Sequence, residues 1–196
     1  MSEAIVQQQG PDQVSIQLPG VTDPEQALSI IGKTAQLEFF KDDAEARPVG
    51  PVESRDAAIR QAAKEGVAEA DIARFEEGFA NTEDWALVSS PPTTYTDADG
   101  NEVEVPELWY VYRRPPELTG AAISDARRGF DQYNRPNVLI DFTSEGGKEF
   151  QRVTKELYRE GLLKGDSATF AIVRDNVIES DPRIDHTDPT RRDGIS

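Results

Sequence analysis

The run VLIDFTSEGGKEFQRVTKEL, residues 138–157, joins two different hydrophobic periods. Up to Phe142 the pattern is the alternation of a strand, and from Phe150 the apolar residues Val153 and Leu157 recur at helical spacing. The stretch therefore predicts a strand, a tight turn and an amphipathic helix. Ser144 is placed to cap the first N–H groups of that helix. Glu145 suits the positive end of its dipole. Gly146 and Gly147 cost helix propensity, so their presence predicts a close approach of backbones at the joint.

Strand, glycines, lysine and helix also open a phosphate-binding loop, but the spacing is wrong. Such a loop needs G-x-x-x-x-G-K followed by Ser or Thr. Here the glycines are adjacent, and Glu149 stands where the metal-binding hydroxyl would be. No nucleotide is expected.

Charge narrows the partners. The 196 residues hold 37 Asp and Glu against 21 Lys and Arg, a net charge of −16. Phosphate backbones need clustered cations, so nucleic acid is not expected, nor is an anionic membrane surface. There are no cysteines, which removes disulfides and thiolate metal sites. No run of 18 apolar residues is present, and MSEAIVQQQG has neither the basic start nor the apolar stretch of a signal peptide. A soluble piece is expected.

Along the chain, Val14, Ile16 and Leu18 alternate as one face of a strand stopped by Pro19 and Gly20. Asp23, Pro24 and Gln26 have the register of a helix start, with Ala27, Leu28 and Ile31 as its apolar face. TAQLEFF predicts a strand with Ala35, Leu37 and Phe39 inward. Residues 41–53 carry proline, glycine and charge and predict a linker. Ser54 opens a helix that breaks at Gly66, and a second helix carries Ile72, Phe75 and Phe79 on one face. WALVSS and LWYVYRR predict strands, and TTYTDADGNEVEV a hairpin. LTGAAISDARRGFDQYNRP predicts a turn, a short helix and a polar turn. SATFAIVRD predicts a strand that Asp175-Asn176 turns into VIES. From Asp181 the periodicity fades, and a loosely held tail is expected. Short strands and helices with mostly hairpin links indicate α+β.

No catalytic constellation emerges. Asp97, Asp99 and Asn101 begin like a calcium loop, but Gly100 sits at loop position 4 instead of 6, and position 12 is Leu108. A hairpin turn is the expected role. His186 is the only histidine and has Asp181, Asp185 and Asp188 nearby in sequence, in a stretch with little structure to hold a metal. No G-x-S-x-G elbow is present. Glu76–Glu77 and Glu102/Glu104 read as solvated faces. Trp85, Trp109, Tyr110 and Tyr112 lie on expected strands and read as core, with one face at most available for binding.

Two separated stretches resemble one family. QQGPDQVSIQLPGVTDPEQALSIIGKTAQLEFF, from Gln8, resembles the extracytoplasmic P1 region of SecD, the export-assisting subunit of the Sec translocon. LTGAAISDARRGFDQYNRPNVLIDFTSEGGKEFQRVT and FAIVRDNVIESDPRID resemble the later part of the same region, in the same order. The resemblance implies a partial ferredoxin-like base (residues 1–40) and an α+β head subdomain with a loose C-terminal tail (116–196). Between them lies an inserted elaboration of helices, hairpin and strands (41–115). It implies an extracytoplasmic piece of a membrane protein, without enzyme activity or cofactor, that handles unfolded preprotein and assists proton-driven export by movement of head against base. SecF and the SecYEG channel are the implied partners. The head residues expected to meet preprotein are Leu118, Ile123 and Phe130. The N-terminal strands are expected to lack some of their neighbours, since the family's base is built from both sides of the head. The residues alone leave open an acidic ligand-binding or adaptor module, or a hydrolase with a carboxylate pair.

Overall fold

The computed structural model describes residues 6–10, 13–16, 37–42, 46–47, 49–96, 100–130 and 136–195. The helix expected from Asp23, the positions Leu18 and Ala35, and Asp97 and Asp99 lie outside the described residues. The first strands are β1 (Val6–Gly10), β2 (Gln13–Ile16), β3 (Leu37–Lys41) and β4 (Val49–Val52). Helices α1 (Arg55–Lys64) and α2 (Glu69–Glu76) follow, then β5 (Trp85–Ser90), β6 (Thr93–Thr96), β7 (Glu102–Val105) and β8 (Leu108–Arg113). The rest is β9 (Leu118–Thr119), β10 (Ile123–Phe130), β11 (Pro136–Phe142), α3 (Ser144–Lys164), β12 (Ala168–Arg174), β13 (Val177–Ser180) and β14 (Arg183–Ile184).

Two compact units are built from these elements. The first comprises Asp42–Pro115 with Asn176–Ile178. Here β8 lies antiparallel between β4 and β5, and Val177 pairs in parallel with Ser89. Ser54 caps α1 as its sequence predicts, its Oγ accepting the Ala57 N–H at 3.2 Å. Ala58, Ile59 and Ala62 of α1 and Phe75 of α2 pack with Val49, Trp85, Leu87 and Val111 of the sheet. Each fully buried aliphatic or aromatic side chain of this kind contributes about 1.5–3 kcal/mol over its exposed state. Phe79 departs from the expected helical face. It lies beyond the end of α2, stays exposed, and has Arg74 over its ring at 4.0 Å.

The linker expected at 41–53 contains a strand. Val49 pairs with Val111 and Val52 with Trp109, with an irregularity between them at Gly50 and Pro51. Gly50 has φ +108°, and a Cβ there would lie 2.6 Å from Tyr110 Cδ1 and 2.7 Å from the Trp109 carbonyl oxygen. Proline and glycine thus mark an irregular edge strand and not a linker.

The second unit comprises Ser2–Lys41, Pro116–Asp175 and Glu179–Ser196. One antiparallel sheet has the order β1-β2-β11-β10, and in another group β3 lies between β12 and β9, with β14 also on β12. Helix α3 buries Phe150, Val153, Leu157 and Tyr158 among Val138, Ile140 and Phe142 of β11, Leu37 and Phe39 of β3, and Phe170 and Ile172 of β12. Phe142 stacks on Phe150 at 4.7 Å, and Phe150 meets Phe170 edge-on at 5.8 Å.

Several expectations change here. The N-terminal strands have neighbours on both sides: β2 pairs with β1 and β11, and β3 with β12 and β9. All of Leu37, Glu38, Phe39 and Phe40 are buried, so β3 is covered on both faces instead of one. The short helix expected after Leu118 is a 3-10 turn at Gly120–Ala122 followed by the eight-residue strand β10. The helix cap falls one residue earlier than expected, on Thr143, whose Oγ1 accepts the Gly146 N–H at 3.0 Å. The tail is docked. Ile184 and Ile195 are each 1% exposed, and the buried Thr154 hydroxyl accepts the Ile195 N–H at 2.8 Å.

Candidate functional site

The joint between β11 and α3 positions the surface of interest. Thr143 N–H donates to the Ala122 carbonyl at 2.8 Å, tying the start of the helix to the residue just before β10. Gly146 makes the approach possible, because a Cβ there would stand 2.2 Å from the Ala122 oxygen. Among the described residues a Cβ at Gly147 would meet only Phe142 Cβ at 3.8 Å, an ordinary contact. One of the paired glycines is thus required by packing. Lys148, the residue of the phosphate-loop comparison, is exposed.

The expected contact residues separate. Leu118 is 5% exposed and part of the core, since β9 is paired with β3 over α3. It offers nothing to a partner. Ile123 is half-buried against the same core. Phe130 is 57% exposed, at the far end of β10. It lies seven residue steps along the strand from Ile123, roughly 24 Å at strand rise. The three do not form one patch.

A different apolar pair is open. Leu162 and Leu163, in the last turn of α3, are 55% and 89% exposed. The sequence carried this signal. The buried stripe runs through Phe150, Val153, Thr154, Leu157, Tyr158 and Gly161, and positions 162 and 163 fall off it.

Charge concentrates beside the helix. Arg152 pairs with Glu149, Glu156 and Glu117, and Lys41 of β3 pairs with Glu156 and Glu117. Hydrogen bonds from Arg152 hold Glu149 below the usual carboxylate range. Burial works against ionisation of Glu156, but Lys41 and Arg152 outweigh it and its carboxyl is also lowered. Three carboxylates and two cations close on each other and tie α3 to β3 and to the segment before β9.

The residues weighed for chemistry are engaged locally. Asp185 accepts Thr187 N–H and Oγ1–H at 2.8 and 2.7 Å, and these bonds lower its carboxyl. Asp188 does the same for Thr190. His186 lies against Gly161 with Nδ1 buried and unbonded. Among the described residues no three of His, Cys, Asp and Glu are grouped to hold a metal. Trp85 and Tyr112 are buried, and Trp109 and Tyr110 half-buried, so the aromatic cluster presents no open face of its own. The Tyr112 hydroxyl donates to Asp42 at 3.2 Å; burial, and then that carboxylate, raise the phenol well above its ordinary range. Among the described residues no helix is long and apolar enough to cross a membrane.

Residues 1–44 match the family model for the N-terminal part of the P1 domain of protein translocase subunit SecDF. Residues 93–195, just over half the chain, match the model for the SecDF P1 head subdomain. SecDF of Thermus thermophilus is 30% identical over 179 residues, 89% of this chain and 20% of that protein. SecD of Desulfurispirillum indicum is 31% identical over 199 residues, 100% of this chain and 31% of that protein. SecD of Rhodothermus marinus is 28% identical over 252 residues, 100% of this chain and 39% of that protein. A solved structure described as a membrane component SecDF that enhances protein export is 27% identical, covering 94% of this chain and 66% of that one, with a TM-score of 0.37. The chain thus spans about a fifth to two fifths of the length of these curated relatives. With both models matched in chain order, this chain belongs to the P1 region of the SecD/SecDF family of protein translocase subunits.

Proposed function

We propose that this P1 region is a non-catalytic holding element for emerging preprotein. In this reading it works on the extracytoplasmic side of the membrane and assists export driven by proton flow. SecF and the SecYEG channel are its partners through the membrane part of the parent protein. The observation that carries the reading is the ordered pair of family matches at residues 1–44 and 93–195. The exposed Phe130, Leu162 and Leu163 support it. They are apolar contacts on a polar, acidic surface, suited to weak engagement of an unfolded chain that must later be released.

The test is site-specific photo-crosslinking in a full-length SecD carrying this segment. Probes at positions 130 and 163 should form adducts with a translocation-arrested preprotein. A probe at Lys148, on exposed helix away from those side chains, should give few. Equal adduct yields with a folded, non-exported control protein would refute the reading.

A further inference from the structure

Resting on the preprotein reading above, we propose that β10 is an acceptor edge to which an extended polypeptide adds as a further strand. In the sheet β1-β2-β11-β10, β10 is the last strand and, among the described residues, pairs only with β11. In an antiparallel pair, alternate residues turn their N–H and C=O away from the partner. An eight-residue edge, ~27 Å long, therefore offers a row of main-chain donors and acceptors. Their chemical complement is another extended main chain. Such pairing is largely indifferent to side chains, which suits a site that must accept many sequences.

Proteins normally blunt such edges with proline, outward charge or a covering segment. β10 has no proline. Arg127 reaches back to Asp141 of β11 at 3.0 Å, and among the described residues no further strand pairs with the edge. The strand is also held firmly at its start, through Ala122, Thr143 and the close approach at Gly146. Phe130, at its other end, supplies an exposed apolar contact for a passing side chain.

A second copy of this chain is the obvious rival occupant, and charge argues against it. Beyond the irregularity at Ile123/Asp125, the regular ladder of β10 runs from Asp125 to Phe130. In a two-fold antiparallel pair one residue faces its own copy, so the two registers that overlap most of this ladder set Arg127 against Arg127 or Arg128 against Arg128. A parallel in-register copy also sets each arginine against itself. Like charges directly opposite are destabilising, so only short overlaps escape. The edge is complementary to a different strand, one neutral or acidic opposite the arginines.

The experiment uses the 196-residue chain and two probes. These are reduced, carboxamidomethylated α-lactalbumin, which stays unfolded, and a disordered synthetic peptide made with and without N-methylation at alternate residues. Ala126→Pro and Arg127→Pro are compared. One of these adjacent positions turns its N–H toward β11 and loses stability; the other turns it outward and keeps the parent melting curve. The parent chain should bind both unmodified probes and sediment as a monomer. The stable proline variant should bind about tenfold more weakly, and so should the N-methylated peptide. If both prolines unfold the chain, the N-methylated peptide decides alone. Unchanged binding by the stable proline variant, or of the N-methylated peptide, overturns the strand-addition proposal and leaves the preprotein reading standing. No binding of any unfolded probe overturns both. A parent dimer abolished by the stable proline variant shows that the edge serves a second copy and overturns the proposal.

Discussion

Gly146→Ala and Gly147→Ala should move stability in opposite directions, although the residues are adjacent in the same helical turn. At Gly146 the new methyl would stand 2.2 Å from the Ala122 carbonyl oxygen, 2.8 Å from Ala122 Cβ and 2.9 Å from Ala122 C. Two of these atoms are backbone, so no rotamer change relieves the overlap. Overpacking costs about 1–3 kcal/mol, and a backbone clash belongs at the upper end. Against this stands a gain of up to ~1 kcal/mol from replacing glycine by alanine in a helix. The net expectation for Gly146→Ala is a loss of about 2 kcal/mol, on the order of 10 °C in Tm for a domain of this size. At Gly147 the only neighbour among the described residues, Phe142 Cβ at 3.8 Å, is at ordinary contact distance, and Gly147→Ala should be neutral or gain up to ~1 kcal/mol. The assay should be circular dichroism at the helix band. Both tryptophans, Trp85 and Trp109, lie in the other unit, so tryptophan fluorescence would follow the wrong transition. If Gly146→Ala melts with or above Gly147→Ala, the close approach at Ala122 does not hold the joint and the reasoning fails.

Thr154→Val keeps the shape of a buried side chain but leaves the Ile195 N–H without its acceptor; it should cost about 1–3 kcal/mol and speed hydrogen exchange at residues 194 and 195. Unchanged exchange there would show that the tail is held by other contacts. Arg152→Gln should cost no more than about 1 kcal/mol, less in high salt, because its ion pairs are part-exposed. Glu149 and Glu156 are held below the usual carboxylate range in the folded chain, so their contribution is present above that range and is lost as the pH falls through the folded-state values; Arg152→Gln should flatten this acid limb of the stability–pH curve. Leu162→Ser with Leu163→Ser should leave urea stability nearly unchanged, since both side chains are exposed, and should lower preprotein crosslinking from a probe at the exposed position 159, one turn earlier on the same helix. A large loss of stability would instead place the pair in the packing of the unit.

What the sequence made legible was what local chemistry decides. Ser54 capped α1, WALVSS and LWYVYRR paired as β5 and β8, and Asp175 and Asn176 took the positive φ values of a tight turn. β10 was not legible because DARRGF shows no apolar alternation; an edge strand places one face on solvent, and only Ala126 of its central residues packs on the core. The tail was missed for a similar reason. Two isolated isoleucines, the two-residue pairing of β14 with β12 and the Ile195 N–H bond to the Thr154 hydroxyl help hold it, and none makes a periodic pattern. At the candidate surface, hydrophobicity alone could not separate Leu118 from Phe130, because burial of Leu118 depends on pairing with β3, far away in sequence. Leu162 and Leu163 could have been found by following the helical stripe to its end.

The pairing of β2 with β11 and of β3 with β12 has a consequence for synthesis on the ribosome. Val14 lies opposite Ile140, and Phe39 opposite Ile172. At about 5–20 residues per second, β2 waits roughly 6–25 s after it is made before β11 exists, and β3 waits about as long for β12. During that interval β2 has only β1 beside it and β3 has no partner until β9 is made, while Asp42–Pro115 has nearly all its own strands within one continuous stretch and can condense first. The order of maturation is then the reverse of the order of translation at the N-terminus: the middle of the chain sets early, and its beginning is captured last.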